Sequence, residues 1–129
     1  MSTNSILVVD DDVQLRQLVQ LTLQSAGYKV ACAPDGRVAI RAMADGSYDL
    51  VITDLLMPER DGLELIEEVR RRYSNVRIIA MSGGGRIAPE EYLQIAKGLG
   101  ANDVICKPFF PSQLLTKVGK VMAAVAPTA

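Results

Sequence analysis

At 129 residues, with 49% hydrophobic and 22% charged residues, the chain has the size and composition of one soluble globular domain that builds a core without metal or disulfide staples. Lys plus Arg (14) nearly balances Asp plus Glu (15), so the net charge of -1 gives no field for gathering nucleic acid or an anionic membrane. Histidine is absent, which removes Ser-His and Cys-His nucleophilic machinery, His-ligated zinc and a self-supplied phosphohistidine.

The start, Met1-Ser2-Thr3-Asn4, lacks the charged and apolar regions of a signal peptide. No apolar run approaches the roughly 20 residues of a bilayer span, so a cytoplasmic location is expected. Residues 6–9 form a first strand-like run, after which Leu15, Leu18, Val19 and Ala26 share one face of a helix that Gly27 ends. A second run at 30–33 leads into a helix over 36–45 carrying Ala39, Ala42 and Met43. After the third run, 50–53, the spacing of Asp61 and Glu64 suits a capping box. The helix it opens turns Leu65, Ile66, Val69 and Tyr73 inward and places Glu67–Arg71 and Glu68–Arg72 on a solvated face. A fourth run at 77–81 precedes a helix from Pro89 or Glu90 to about Leu99. The fifth run, 103–106, precedes a helix from Ser112 to about Val125, striped by Leu114, Leu115, Val118, Val121, Met122 and Val125. This alternation is the signature of an α/β domain around a parallel sheet. Cys32 and Cys106, alone in separate apolar segments, are expected to be small core residues. Residues 1–129 are expected to form a single domain with an ordered core of about 4–125 and a short C-terminal tail.

In an open parallel α/β sheet, ligands bind beyond the carboxyl ends of the strands. The first run ends in Asp10, Asp11 and Asp12, the third in Asp54, the fourth in Ser82, and the fifth in Lys107 followed by Pro108. Crowded carboxylates repel, and a hard divalent cation removes the conflict. Mg²⁺ in such a pocket bridges to phosphate, Lys107 and Ser82 bind phosphoryl oxygens, and one carboxylate is left to attack phosphorus. Asp12 is expected to be an N-cap rather than part of the site.

Four segments carry a family pattern: ILVVDD at 6–11, ITDLLMP at 52–58 followed by Asp61 and Gly62, AMS at 80–82, and LGANDVICKPF at 99–109. In this order, covering essentially the whole chain, they resemble the receiver domain of two-component response regulators. The resemblance implies a doubly wound five-stranded parallel sheet of order 2-1-3-4-5 with five helices, the flavodoxin-like receiver fold, and a cis Lys107–Pro108 bond. It implies that Asp54 is the phosphoacceptor, that Lys107 and Ser82 bind the phosphoryl group, and that Mg²⁺ is held by Asp10, Asp11, Asp54 and the main-chain carbonyl of Leu56. It also implies the partners: a sensor histidine kinase or histidine phosphotransferase, a downstream effector on the face of helix 4, strand 5 and helix 5, and a homodimer as a further option on phosphorylation. Neither direct nucleic-acid binding nor membrane association is expected. The domain would be a signalling switch, not an enzyme, that assists its own phosphorylation and dephosphorylation.

The sequence departs from the family pattern at Val104, where many members place an aromatic ring, and after Ser82, where Gly83, Gly84, Gly85 and Arg86 open a longer link to the fourth helix; residues 83–88 are expected to be mobile until phosphate orders them. Leu56 and Gly84 offer no polar side chain to orient a hydrolytic water. Three other readings compete. A P-loop lacks its Gly-Lys-Ser/Thr ending. A haloacid-dehalogenase-like phosphatase would use Asp10 and Asp12 but leaves Asp54 and Lys107 unexplained. A receiver-like binding module that signals without phosphate keeps the fold but not the chemistry. With no effector domain in it, the chain reads as a stand-alone shuttle or adaptor, or as a receiver cut from a larger regulator, with Met1 and the short tail slightly favouring the former.

Overall fold

The computed structural model describes residues 4–55, 62–83 and 89–123, in which five strands alternate with five helices. Strands β1 (Ser5–Val9), β2 (Lys29–Ala33), β3 (Leu50–Asp54), β4 (Arg77–Ser82) and β5 (Asp103–Cys106) are parallel and lie in the order β2-β1-β3-β4-β5. Each strand end falls within one residue of its predicted run. The strand order and the cis Lys107–Pro108 peptide are those the family resemblance implied.

Helices α1 (Val13–Ser25), α2 (Gly36–Asp45), α3 (Gly62–Arg72), α4 (Pro89–Leu99) and α5 (Pro111–Ala123) cover both faces of the sheet. Because a parallel sheet is buried on two sides, its strands are apolar at successive positions, and the alternation of side chains sorts them between two cores. Leu7, Val9, Val51, Ile78 and Ala80 pack with Leu65, Ile66 and Val69 of α3, Ala39 and Met43 of α2, and Ala96 of α4. Ile6, Val8, Ile52, Ile79 and Met81 pack on the other face with Val19 and Leu23 of α1 and Leu114, Val118 and Val121 of α5.

Local chemistry sets the helix ends. The Asp12 carboxylate accepts from the N–H groups of Gln14 and Leu15, satisfying donors at the start of α1. At the other end Gly27, with φ of 96°, closes a Schellman motif in which the Tyr28 N–H donates to Leu23 O at 3.2 Å. Gly100, with φ of 120°, does the same for α4, with the Ala101 N–H donating to Ala96 O at 3.0 Å. At this amino-terminal rim of the sheet Arg70 binds several carbonyls at once. Its Nη1 donates to Ser74 O and Val76 O, both at 2.7 Å, and its Nη2 to Gly100 O at 2.9 Å and Asn102 Oδ1 at 3.0 Å. Asn102 Oδ1 also accepts from the Ile78 N–H at 2.8 Å, so α3, the start of β4 and the turn before β5 are tied together.

Four expectations are corrected. Leu18 is 45% exposed and Ala26 is the exposed cap residue; the inward stripe of α1 is Leu15, Val19 and Leu23, spaced by four, because the helix lays a narrow arc on the sheet. Glu68 is 5% exposed rather than solvated, since α3 is flanked by α2 and α4, and its carboxylate meets Arg72 Nη2 at 2.9 Å. Cys32 is half-buried and Cys106 exposed, because β2 and β5 are the two edge strands. The last helix starts at Pro111, one residue early. Asp61, proposed as a cap, and Val125 lie outside the described residues. Among those residues no helix is long and apolar enough to cross a membrane.

Candidate functional site

The carboxyl rim of the sheet gathers the charged groups. Asp10 follows β1, and its N–H extends the ladder to Ala33 O at 3.2 Å. Its side chain is fully buried: Oδ1 accepts from the Asp12 N–H at 2.9 Å and Oδ2 from Lys107 Nζ at 3.0 Å. Asp11, the next residue, is exposed at the mouth. Asp54 ends β3 and is 8% exposed; its carbonyl accepts from the Thr53 hydroxyl at 2.9 Å, and the next N–H, of Leu55, donates to Met81 O at 3.0 Å. Lys107 continues β5, with its N–H donating to Ser82 O at 2.7 Å. Its ammonium lies 3.2 Å from Asp54 Oδ1, bridging Asp10 and Asp54. One oxygen from each of Asp10, Asp11 and Asp54 falls within 4.8 Å of the others.

Two glycines permit this crowding. A β-carbon on Gly62 would overlap the Asp54 carbonyl and the Leu55 backbone, so the first residue of α3 must be bare for the helix to seat against the end of β3. A β-carbon on Gly83 would overlap the stem of Lys107.

Burial raises the Asp54 carboxyl above the ordinary aspartate range; Lys107 pulls against this, while the Asp10 and Asp11 carboxylates add to it. For Lys107 burial works to lower the ammonium, but Asp54 and Asp10 outweigh it and hold the group above the usual lysine value. Among the described residues the three-carboxylate cluster holds one ammonium, which pairs with Asp10 and Asp54. The excess negative charge, presented by hard oxygen donors at a mouth that Asp11 leaves open, suits a small divalent cation.

Of the residues singled out from sequence, Asp10, Asp11, Asp54 and Lys107 are brought together in space. Ser82 stands at the same rim, buried, at the end of the strand beside β3. The Leu56 carbonyl and residues 84–88 of the glycine-rich link lie outside the described residues. Asp12 caps α1, as expected, and this occupies the second carboxylate on which a haloacid-dehalogenase reading depends. Val104 is buried at 7% and carries no ring to rotate. Two residues of the site escaped the sequence: Thr53, which looked like another residue of a strand, and Arg16, whose Nη1 donates to Asp10 O at 2.8 Å. A basic residue six positions past an acidic one on an amphipathic helix gives no signal of that contact.

Residues 6–119 match the family model described as the response regulator receiver domain. The chain belongs to this family. Among curated relatives, the receiver is 33% identical over 120 residues to the transcriptional regulatory protein RprY of Bacteroides fragilis, covering 93% of this chain and 50% of that protein. It spans about half the length of the curated relatives it matches. Among solved structures, the receiver is similar to the chemotaxis response regulator CheY4 of Vibrio cholerae, with a TM-score of 0.84 at 35% identity, covering 93% of this chain and 99% of that one. It is similar also to the response regulator TrrA of Thermotoga maritima, solved in complex with Mg²⁺ and BeF, with a TM-score of 0.81 at 32% identity, covering 92% and 99%.

Proposed function

We propose that this receiver accepts a phosphoryl group on Asp54 from a histidine kinase or histidine phosphotransferase, in a Mg²⁺-dependent reaction, and thereby changes what it binds. The observation that carries the reading is the Lys107 ammonium bridging Asp10 and Asp54 inside a three-carboxylate cluster. Asp54 supplies the nucleophilic oxygen: its bond to phosphorus forms in line as the phosphorus–nitrogen bond of the donor phosphohistidine breaks, and the imidazole leaves with the electron pair. Asp10, Asp11 and Asp54, with the Leu56 carbonyl as the family pattern implies, would hold Mg²⁺, which would neutralise charge on the transferred group. Lys107 exchanges its contact with Asp54 for a phosphoryl oxygen while keeping Asp10, and the Ser82 hydroxyl donates to another oxygen. Because Lys107 and Ser82 are already joined through the main chain, both are drawn inward together. The same groups, with water as the attacking nucleophile, serve autodephosphorylation; the domain is a switch and not a turnover enzyme.

We read 1–129 as a single receiver domain working in the cytoplasm. Its effector would dock on α4, β5 and α5, where a groove of about 610 Å³ runs between β5 and α5 past Val104, Cys106, Gln113 and Lys117. A second copy of the chain on that face would give a phosphorylation-dependent homodimer. Incubation with acetyl phosphate and Mg²⁺, read by intact mass, tests the chemistry. One phosphoryl group is expected on the parent protein, none on Asp54→Asn and none in chelator. Equal labelling of Asp54→Asn rejects the assignment, and failure to label under all conditions leaves a module that signals without phosphate.

A further inference from the structure

Every polar group of Asp10 is engaged. Its N–H reaches Ala33 O, its two carboxylate oxygens take the Asp12 N–H and Lys107, and its carbonyl takes Arg16 Nη1 at 2.8 Å. The first three contacts come from the sheet, the loop and the site. The fourth comes from the second turn of α1, from a half-buried side chain outside the carboxylate cluster. The peptide joining Asp10 to Asp11 is planar and trans, so its carbonyl and the Asp11 N–H point in opposite directions. A bond that fixes the carbonyl therefore fixes the plane from which Asp11 departs. Asp11 is the exposed member of the cluster, and its side chain, with an oxygen within 4.8 Å of Asp10 and Asp54, leaves the main chain directly after this peptide plane.

We propose that Arg16 is a positioning residue for divalent-cation binding: its guanidinium clamps the Asp10–Asp11 peptide and holds the Asp11 carboxylate toward Asp10 and Asp54. This rests on the Mg²⁺-dependent reading above and adds to it a residue that touches neither the cation nor the phosphoryl group. Removing the clamp leaves a buried carbonyl without its donor and frees the peptide to turn. Supporting groups of this kind typically contribute 10- to 100-fold to metal affinity.

The sign of the effect separates positioning from simple electrostatics. A cation beside the site repels Mg²⁺, so if Arg16 acted only through its charge, neutralising it would tighten binding. The clamp requires the opposite. Mg²⁺ is titrated calorimetrically into the parent protein, Arg16→Met and Arg16→Lys, each first shown by circular dichroism to be folded in chelator. Arg16→Met is expected to weaken Mg²⁺ binding about tenfold or more, and Arg16→Lys, which restores a donor at similar reach, to recover most of the loss. Unchanged or tighter binding by Arg16→Met overturns the proposal. If that variant does not fold, Arg16→Gln, whose shorter stem withdraws the donor, carries the comparison, with the same loss expected and undiminished affinity overturning it. A parent protein that binds no Mg²⁺ instead overturns the cation-dependent reading underneath, whatever the variants do.

Discussion

Without a cation, Asp54 is a liability to the fold, and this can be measured. Its Oδ1 lies 3.2 Å from the Lys107 ammonium, and oxygens of Asp10 and Asp11 lie within 4.8 Å. At an effective dielectric constant of about 20, the contact with Lys107 attracts by about 5 kcal/mol and each carboxylate neighbour repels by about 3.5 kcal/mol or more. Once solvent screens exposed Asp11, Lys107 offsets the two repulsions, so burial of the Asp54 carboxylate decides the balance and sets its ionised form against folding by about 1–2 kcal/mol. Asp54→Asn removes the charge and keeps the shape. In chelator near neutral pH it is expected to be more stable than the parent by that amount, an upward shift of about 4–10 °C in Tm for a domain of this size. The gain depends on pH with a definite sign. A carboxyl raised in the folded state favours folding fully below its ordinary value of 3.8, and that contribution is lost as pH rises through the folded value. The advantage of Asp54→Asn therefore grows from acid to neutral pH and vanishes below about pH 4. Saturating Mg²⁺ narrows or reverses it, because a ligand at about 100 times its Kd stabilises the folded parent by about 2.7 kcal/mol and finds one carboxylate fewer in the variant. Thermal melts with and without chelator across this range provide the assay. A variant less stable than the parent in chelator at neutral pH, by a margin that does not change on acidification, would refute the reading of Asp54 as a buried charge that works against the fold.

Three other perturbations follow from the same geometry. Lys107→Met strips the ammonium that joins Asp10 and Asp54 and is expected to cost about 2–3 kcal/mol in chelator by urea denaturation, part of it returned by Mg²⁺. The raised Lys107 value means that its contribution is complete below 10.5 and fades as pH climbs through the folded value, so parent and variant should converge in strong alkali. Gly62→Ala forces a β-carbon into the Asp54 carbonyl and should destabilise by about 3 kcal/mol while also lowering the rate of labelling by acetyl phosphate; an Ala variant with parental stability and rate would show that α3 can back away freely. Asp12→Ala removes two accepted hydrogen bonds at the start of α1 and should cost about 1 kcal/mol with labelling still confined to Asp54, which mass spectrometry of digested protein checks.

What was legible from sequence was whatever depends on local pattern. The five runs and the helices between them follow from periodicity, and Asp10, Asp11, Asp54 and Lys107 converge because a parallel sheet brings all its carboxyl ends to one side. The strand order needed the family pattern, since the runs alone do not say which strand lies beside which. The misplacements share one cause: burial depends on neighbours remote in sequence. Leu18 has the hydrophobicity of a core residue but no surface above it, Glu68 looks solvated until α2 and α4 close on either side, and Cys106 lies in an apolar run at the sheet's edge. The hold of Arg16 on Asp10 is a main-chain contact, and side-chain identity carries no trace of it.

The two rims of the sheet are held by bonds of different kinds. At the carboxyl rim the fastening is ionic, a shared ammonium among carboxylates, and it responds to protons, cations and phosphate alike. At the amino rim Arg70 grips neutral carbonyls from the end of α3, the start of β4 and the turn after α4, a set of bonds that physiological swings of pH or magnesium leave untouched. Chemical input is thus met by an adjustable end standing on a fixed footing. A rearrangement begun at Lys107 loses amplitude toward Gly100, so the signal should stay near the upper ends of β4 and β5 and not loosen the domain as a whole.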